Sequence, residues 1–281
     1  MSRKKRCVLY QTKAWGEPLI ESSRPMQKSS YHIILADIHY PQHDEAAVNA
    51  VMSFVRKNRD RISGVTILGD GLDCADLSHH TIGKPRLRKS GGYKSDIDGF
   101  KKTILNPLDR MLKRGARKTF ICGNHENWIE SDLLDAMPEL DGVVNIPTLL
   151  DLKERGWKWI PQGGFIRVGK IVLLHGDQIG SGVTVARKLV DLTSCTSVMG
   201  HVHQFSVASK MGSIKKGDRW AGITLPCLCT LSPGYAKGRP NAFMHGFGII
   251  EQWPNGNGNV YVPLIFDGQF SFAGRIYSGT K

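Results

Sequence analysis

Five short clusters of histidine, carboxylate and carboxamide residues carry the chemistry of this 281-residue chain: Asp37-Ile38-His39, Gly69-Asp70, Gly123-Asn124-His125-Glu126, His175 and Gly200-His201-Val202-His203. Two divalent cations held a few ångströms apart need hard oxygen donors and imidazoles, with at least one carboxylate able to bridge them. The clusters supply that set, and the tight Gly-Asp and Gly-Asn pairs let backbone pass close by. His201 and His203 would point in opposite directions in an extended segment. Gly200 permits a bend that turns both toward one centre.

Rigid mounts for these residues are legible nearby. Residues 31–36 (YHIILA), 64–68 (GVTIL), 118–122 (KTFIC), 171–174 (IVLL) and 196–199 (TSVM) are short, mostly continuous apolar runs that suit strands buried on both faces. Each run ends at a cluster. Asp44 fits the N-cap of a helix in which Ala47, Val48, Val51, Met52 and Val55 recur at helical spacing, with Lys57, Asn58 and Arg59 at its end. Phe100, Ile104, Leu108 and Met111 repeat the pattern, with Pro107 expected to kink or split that helix. Residues 184–192 give a third, shorter one.

Strands alternating with helices predict a mainly parallel sheet, with ligands outside the carboxyl ends of its strands. Later segments change character. Residues 165–168 and 170–174 flank Gly169 as a hairpin, and residues 246–252 and 259–266 flank a turn-rich stretch at 253–258. Read as antiparallel strands of a second sheet, these predict an α/β fold: a four-layer α/β/β/α sandwich of two mixed β-sheets flanked by helices. Residues 1–30 read as a basic arm or irregular lead-in and 31–281 as a single domain, with a mobile loop expected over 79–96.

Composition narrows the setting. At 41% hydrophobic content the chain can bury a full core, and no stretch approaches the roughly 20 apolar residues that span a bilayer. A soluble cytoplasmic protein without a membrane role is the expectation. The six cysteines form no CxxC pair, which argues against a structural zinc ribbon or a disulfide framework, and none is given a role. The net charge of +13 is regional: residues 1–30 contribute +5 and residues 84–118 contribute +9. Such stretches suit a polyanion such as nucleic acid, or a solvated face.

Read together, DIH, GDGLD, GNHE, LLHGD and GHVH resemble the motif series of the calcineurin-like metallophosphoesterase superfamily, over about residues 31–203. The resemblance implies a dinuclear site with Asp37, His39 and His203 on the first metal, Asn124, His175 and His201 on the second, and Asp70 bridging. His125 is similar to the family's non-ligand histidine, which donates to the scissile phosphate and protonates the leaving group. Two divalent ions are implied, Mn²⁺ foremost, with Fe, Zn²⁺ or Ni²⁺ as alternatives. Asp73, Glu126, His43 and Asp177 are candidates for orienting the ligands.

The implied reaction is hydrolysis of a phosphate ester by a hydroxide generated between the metals. Protein phosphatases of the superfamily carry a Gly after DxH and an Arg within GDxxDRG. Here Tyr40 and Cys74 stand instead, which turns the expectation toward a phosphodiesterase or nuclease. A basic loop bearing Lys84, Arg86, Arg88, Lys89 and Lys94 would bind phosphates of DNA or RNA, with Tyr93 stacking on a base. His79, His80 and His245 are further possible contacts at the cleft. A phosphomonoesterase acting on a small metabolite or phosphoprotein, and a non-catalytic binding scaffold of the same fold, are the alternatives.

Overall fold

The computed structural model describes residues 29–77, 92–212, 217–233 and 240–280. The arm expected over 1–30 therefore lies outside the described residues but for its last two, as do Cys7, His79, His80, Lys84, Arg86, Arg88 and Lys89. The strands are β1 (Ser30–Leu35), β2 (Ile62–Leu68), β3 (Arg117–Ile121), β4 (Lys158–Ile160), β5 (Phe165–Val168), β6 (Ile171–Leu174), β7 (Ser197–Met199), β8 (Ser206–Met211), β9 (Arg219–Thr224), β10 (His245–Gly246), β11 (Gly248–Gln252), β12 (Gly258–Tyr261), β13 (Leu264–Ile265), β14 (Gln269–Phe272) and β15 (Arg275–Ser278). The α-helices are α1 (Glu45–Asn58), α2 (Gly92–Phe100), α3 (Asn106–Met111), α4 (Asn124–Trp128), α5 (Ile146–Leu149) and α6 (Val185–Thr193).

Two sheets face each other. The first has the order β12-β11-β1-β2-β3-β4 and the second β5-β6-β7-β9-β8. The inward faces meet through Ile34, Ala36, Leu68, Ile121 and Ile250 of the first sheet and its strand ends, and Val168, Ile171, Leu173, Val198 and Ile223 of the second. On the outer face of the first sheet, Ile33, Leu35, Ile67 and Phe120 pack against α1, α2 and α3. On the outer face of the second, Val172, Leu174 and Met199 pack against Val185 and Leu189 of α6. This is the α/β/β/α sandwich. Strand alternation produces it, because neighbouring residues of each strand face different layers and both faces must then be apolar.

The first helix forms as expected: the Asp44 carboxylate accepts the Ala47 N–H at 2.7 Å, and seven apolar residues of α1 are buried. Phe54, in its middle, meets Tyr31, Phe247, Phe270, Phe272 and Tyr277 at ring separations of 5.0–6.2 Å. The helix expected around Pro107 is divided. The chain passes from α2 through a π-helical turn, Lys101–Leu105, into α3. Pro107 then sits in the first turn of α3, where its missing N–H costs nothing.

Two expectations need correction. Residues 246–252 and 259–266 do not join the second sheet. Strand β11 pairs antiparallel with β1 and β12 pairs with β11, because Ile249 is needed on the helix-covered face and Ile250 between the sheets. The loop expected to run to residue 96 ends sooner, since α2 starts at Gly92. Among the described residues no helix is long and apolar enough to cross a membrane.

Candidate metal centre

All five clusters sit where parallel strands end. Asp37 follows β1, Asp70 follows β2, Asn124 opens α4 after β3, His175 follows β6, and the segment 200–203 follows β7. Three come from the first sheet and two from the second, so the site exists only because the sheets are stacked. Backbone hydrogen bonds stitch the loops together: His39 N–H to Asp70 O at 2.8 Å, Tyr40 N–H to Gly71 O at 2.9 Å, and Gly200 N–H to His175 O at 3.0 Å.

Five of the converging residues take left-handed backbone angles although none is glycine: Asp37 (φ 53°), His39 (49°), Asp70 (49°), His201 (67°) and His203 (57°). Such a conformation is costly for residues with a Cβ, and clusters of them mark sites where side-chain direction outweighs backbone comfort. Gly69 and Gly123 make the close approach possible. A Cβ on Gly69, at φ +84°, would lie 2.2 Å from His175 Nδ1, and one on Gly123 would lie 2.1 Å from Asp70 Oδ1.

The hydrogen-bond geometry identifies what belongs in the centre. His175 Nδ1 lies 2.8 Å from the Leu68 carbonyl oxygen, which can only accept, so Nδ1 carries the hydrogen. Nε2 then presents a lone pair, yet it stands 3.2 Å from both Asp70 Oδ2 and Asn124 Oδ1. Three acceptors cannot satisfy one another; a cation at their midst can. The same holds opposite. His39 Nδ1 faces Asp73 Oδ1 at 3.3 Å, while His39 Nε2 and His203 Nε2 point at each other at 3.2 Å, with Asp37 Oδ1 at 3.3 Å from His203 and Asp70 Oδ2 at 3.7 Å from His39. Asp70 faces both groups, and the donor atoms of Asp70, His175 and His201 lie within 4.8 Å of one another, as do those of Asp70, His39 and His125. The donors fit two divalent cations sharing one carboxylate.

Within the chain itself, protons reconcile these facing acceptors. Burial opposes charge on His175, but Asp70 overrides it and pushes the ring up to about 10. Burial likewise opposes charge on His203, and Asp37 pushes it up to about 10. Burial would raise the Asp70 carboxyl, yet His175 and His125 hold it well below the usual carboxylate range. Both aspartates are also gripped by backbone: His201 N–H donates to Asp37 at 2.9 and 3.0 Å, and His125 N–H donates to Asp70 Oδ1 at 3.0 Å.

His125 belongs to the group of Asp70 and His39 and is turned by a backbone partner. Its Nδ1 donates to the Asp73 carbonyl oxygen at 2.6 Å, which leaves Nε2 turned inward, 4.0 Å from Asp70 Oδ2. Trp128 backs the ring at 4.0 Å between centroids. Burial lowers its pKa. Glu126 is a buried clamp: its carboxylate accepts the N–H groups of Asp70, Leu72 and Gly123 at 3.0, 2.8 and 2.9 Å. Burial and the Asp70 charge push its carboxyl up to about 7.

The remaining expectations fall variously. Asp73 orients His39 and is itself held by Gln42, whose carboxamide sequence reading passed over. His43 stacks on Tyr40 at 4.8 Å, and Asp177 receives Gln162 at 2.7 Å; neither bonds to a donor of the cluster. His245 Nε2 donates to the Cys229 carbonyl at 2.8 Å and so braces the wall. Cys229 itself was missed, and its Sγ lies 3.8 Å from His203 Nδ1. The signal was present, since Cys227-Leu228-Cys229 follows β9 much as Gly200-His201-Val202-His203 follows β7. Tyr93 is not an open stacking face: spaced four and seven residues from Ile97 and Phe100, it lies on the core side of α2 with its hydroxyl 3.4 Å from Cys74 Sγ. Lys94 is exposed and paired with Asp98 at 2.7 Å.

The stacked sheets carry at their strand ends the motif series that resembles that of the calcineurin-like metallophosphoesterases. No protein-family model and no curated protein matches the chain. Among solved structures, vacuolar protein sorting 29 from Cryptosporidium parvum superposes with a TM-score of 0.45 at 16% identity, covering 89% of this chain and 99% of that one. A conserved uncharacterized protein from Streptococcus pneumoniae TIGR4, described as a predicted phosphoesterase, gives 0.38 at 12% identity over 89% and 98%.

Proposed function

We propose that the chain is a dinuclear-metal-dependent phosphoesterase that prefers phosphodiesters. The observation that carries this reading is the pair of donor groups sharing Asp70, with the inward-facing Nε2 of His125 beside them. Asp37, His39 and His203 would hold one cation, Asn124, His175 and His201 the other. When bound, such a pair lowers the pKa of water into the neutral range and neutralises phosphate oxygens.

The chain's own residues do the rest. Nδ1 of His125 is committed to a carbonyl, so its ring can give a proton only from Nε2, and only as the imidazolium. Burial disfavours that form, while the nearby Asp70 and Asp73 carboxylates favour it. An arriving phosphate anion adds to the favourable side, so the acid is loaded by its own substrate. Protonating the leaving oxygen from this position is a contribution of about 10²- to 10⁴-fold.

The preference for diesters is supported by space. An open groove of about 660 Å³ begins at Tyr40, the residue after His39, and is lined by Lys94, Ser95, Asp98, Gly99, Lys102 and Thr103. A second ester substituent has room there, beside the Lys102 ammonium and the Lys94–Asp98 pair. DNA or RNA is the polymeric form of such a substrate. The test compares p-nitrophenyl phosphate, its bis ester, and single-stranded DNA and RNA with Mn²⁺ at low and moderate salt. Faster turnover of the bis ester is expected, and nucleic-acid cleavage, if it occurs, falls steeply with salt. Monoester hydrolysis alone refutes the diester preference, and full metal binding with no hydrolysis of any ester refutes catalysis in favour of a scaffold.

A further inference from the structure

We propose a second ligand site at the opposite end of the sandwich, a pocket for a small phosphorylated organic anion built around His32, Arg117 and Lys158. His32 precedes Asp37 by five residues along β1, which places the pocket about 16 Å from the metal donors. The cavity is about 340 Å³ and opens between the sheets, lined by His32, Arg117, Thr119, Lys158 and the four residues of β5. That is the lower end of the size range of small-molecule sites.

Strand register assembles the polar side. His32 pairs across Gly64 to Arg117, and in the next row Thr66 pairs across Thr119 to Lys158, all on the face toward the second sheet. Among the described residues no carboxylate forms an ion pair with Arg117 or Lys158, and none lines the cavity. Unpaired like charges gathered around a concavity repel one another, and an anion relieves this.

His32 shows that the pocket is shaped for a ligand rather than merely basic. The residue is 1% exposed, its Nε2 is bonded to Thr66 Oγ1 at 2.8 Å, and its Nδ1 is buried without a hydrogen-bond partner. A buried polar atom left unsatisfied costs about 1–3 kcal/mol, so a partner at Nδ1 is worth a comparable amount. Gly64 makes room for the His32 ring itself, since a Cβ there would lie 2.7 Å from Nδ1. Burial and Arg117 hold the ring down to about 3, so it is neutral at pH 7. With the Thr66 hydroxyl donating to Nε2, the neutral ring offers Nδ1–H to an oxyanion. Ile166 and Val168, on the face of β5 turned toward the first sheet, form an apolar wall for the organic part.

This site does not depend on hydrolysis at the metal centre. The test titrates phenylphosphonate and methylphosphonate, whose C–P bonds resist hydrolysis, into the Zn²⁺-loaded full chain while His32 is followed by ¹⁵N NMR. A saturable shift of the His32 nitrogens is expected, with phenylphosphonate binding about tenfold tighter because the ring buries apolar surface. Lys158→Gln and Arg117→Gln should each weaken binding about tenfold or more, as loss of a charge-assisted hydrogen bond does. Both side chains are at the surface, so folding and bis-ester hydrolysis should be unchanged, as melting temperature and rate will show. No His32 response, an undiminished response in both variants, or equal affinity for the two phosphonates overturns the proposal.

Discussion

Metal uptake should expel protons from the histidines that the buried aspartates hold charged. In the metal-free chain the rings of His175 and His203 are pushed up to about 10, against burial, by Asp70 and Asp37 respectively. At pH 8 both are therefore imidazolium, and both must be neutral to ligate. Filling the two sites releases about two protons, and each costs about 1.4 kcal/mol per pH unit below the histidine pKa. Over the two units from 10 to 8 that is about 2.7 kcal/mol per site, so affinity per site rises about tenfold for each unit of pH in this range. Linkage in the metal-free chain has the matching sign. These pKa values are raised above the ordinary value of 6.5, so their stabilisation is complete below about 6.5 and disappears as pH rises through about 10. Calorimetric titration with Mn²⁺ at pH 8 in buffers of different ionisation enthalpy measures the count directly. A value near two supports the geometry; a value near zero would mean that the facing nitrogens and oxygens are reconciled without a cation or proton, and the reasoning fails.

Other perturbations probe separate parts of the site. His125→Asn should leave the metal content intact and lower turnover of the bis ester about 10²- to 10⁴-fold; wild-type rates in a metal-replete variant would remove His125 from the mechanism. Glu126→Ala strands the three buried N–H groups of Asp70, Leu72 and Gly123 and should cost about 3 kcal/mol or more, read as a lower denaturant midpoint; an unchanged midpoint refutes the clamp. Gly69→Ala forces a Cβ into a left-handed position, a penalty of about 1–2 kcal/mol before its collision with His175. Reduced metal content by elemental analysis is the expected sign, and full occupancy would show that the loop tolerates the crowding.

The convergence of the five clusters was legible because it is local: each cluster closes an apolar run, and their order is fixed along the chain. The sandwich was legible for the same reason, since continuous apolar strands demand cover on both faces. What could not be read was pairing between distant segments. The β11 and β12 strands look like any antiparallel hairpin, and nothing in their letters says that Ile249 and Ile250 belong on either side of β1. Cys229 and Gln42 escaped because their roles depend on which loop lies beside His203 and Asp73 in space. Tyr93 was misplaced by attending to the charges around it rather than to its own spacing from Ile97 and Phe100.

The five left-handed residues of the candidate centre have a bearing on stability. Each forfeits roughly 1 kcal/mol that a glycine at the same position would recover, so the unloaded fold carries a standing burden at its functional pole. Drift would lighten that burden wherever ligation ceased to matter, one relaxed loop at a time. All five keep this posture in the chain, so the burden is undischarged. Replacing Asp37 or Asp70 by glycine to harden this protein would therefore discard a candidate ligand along with the strain.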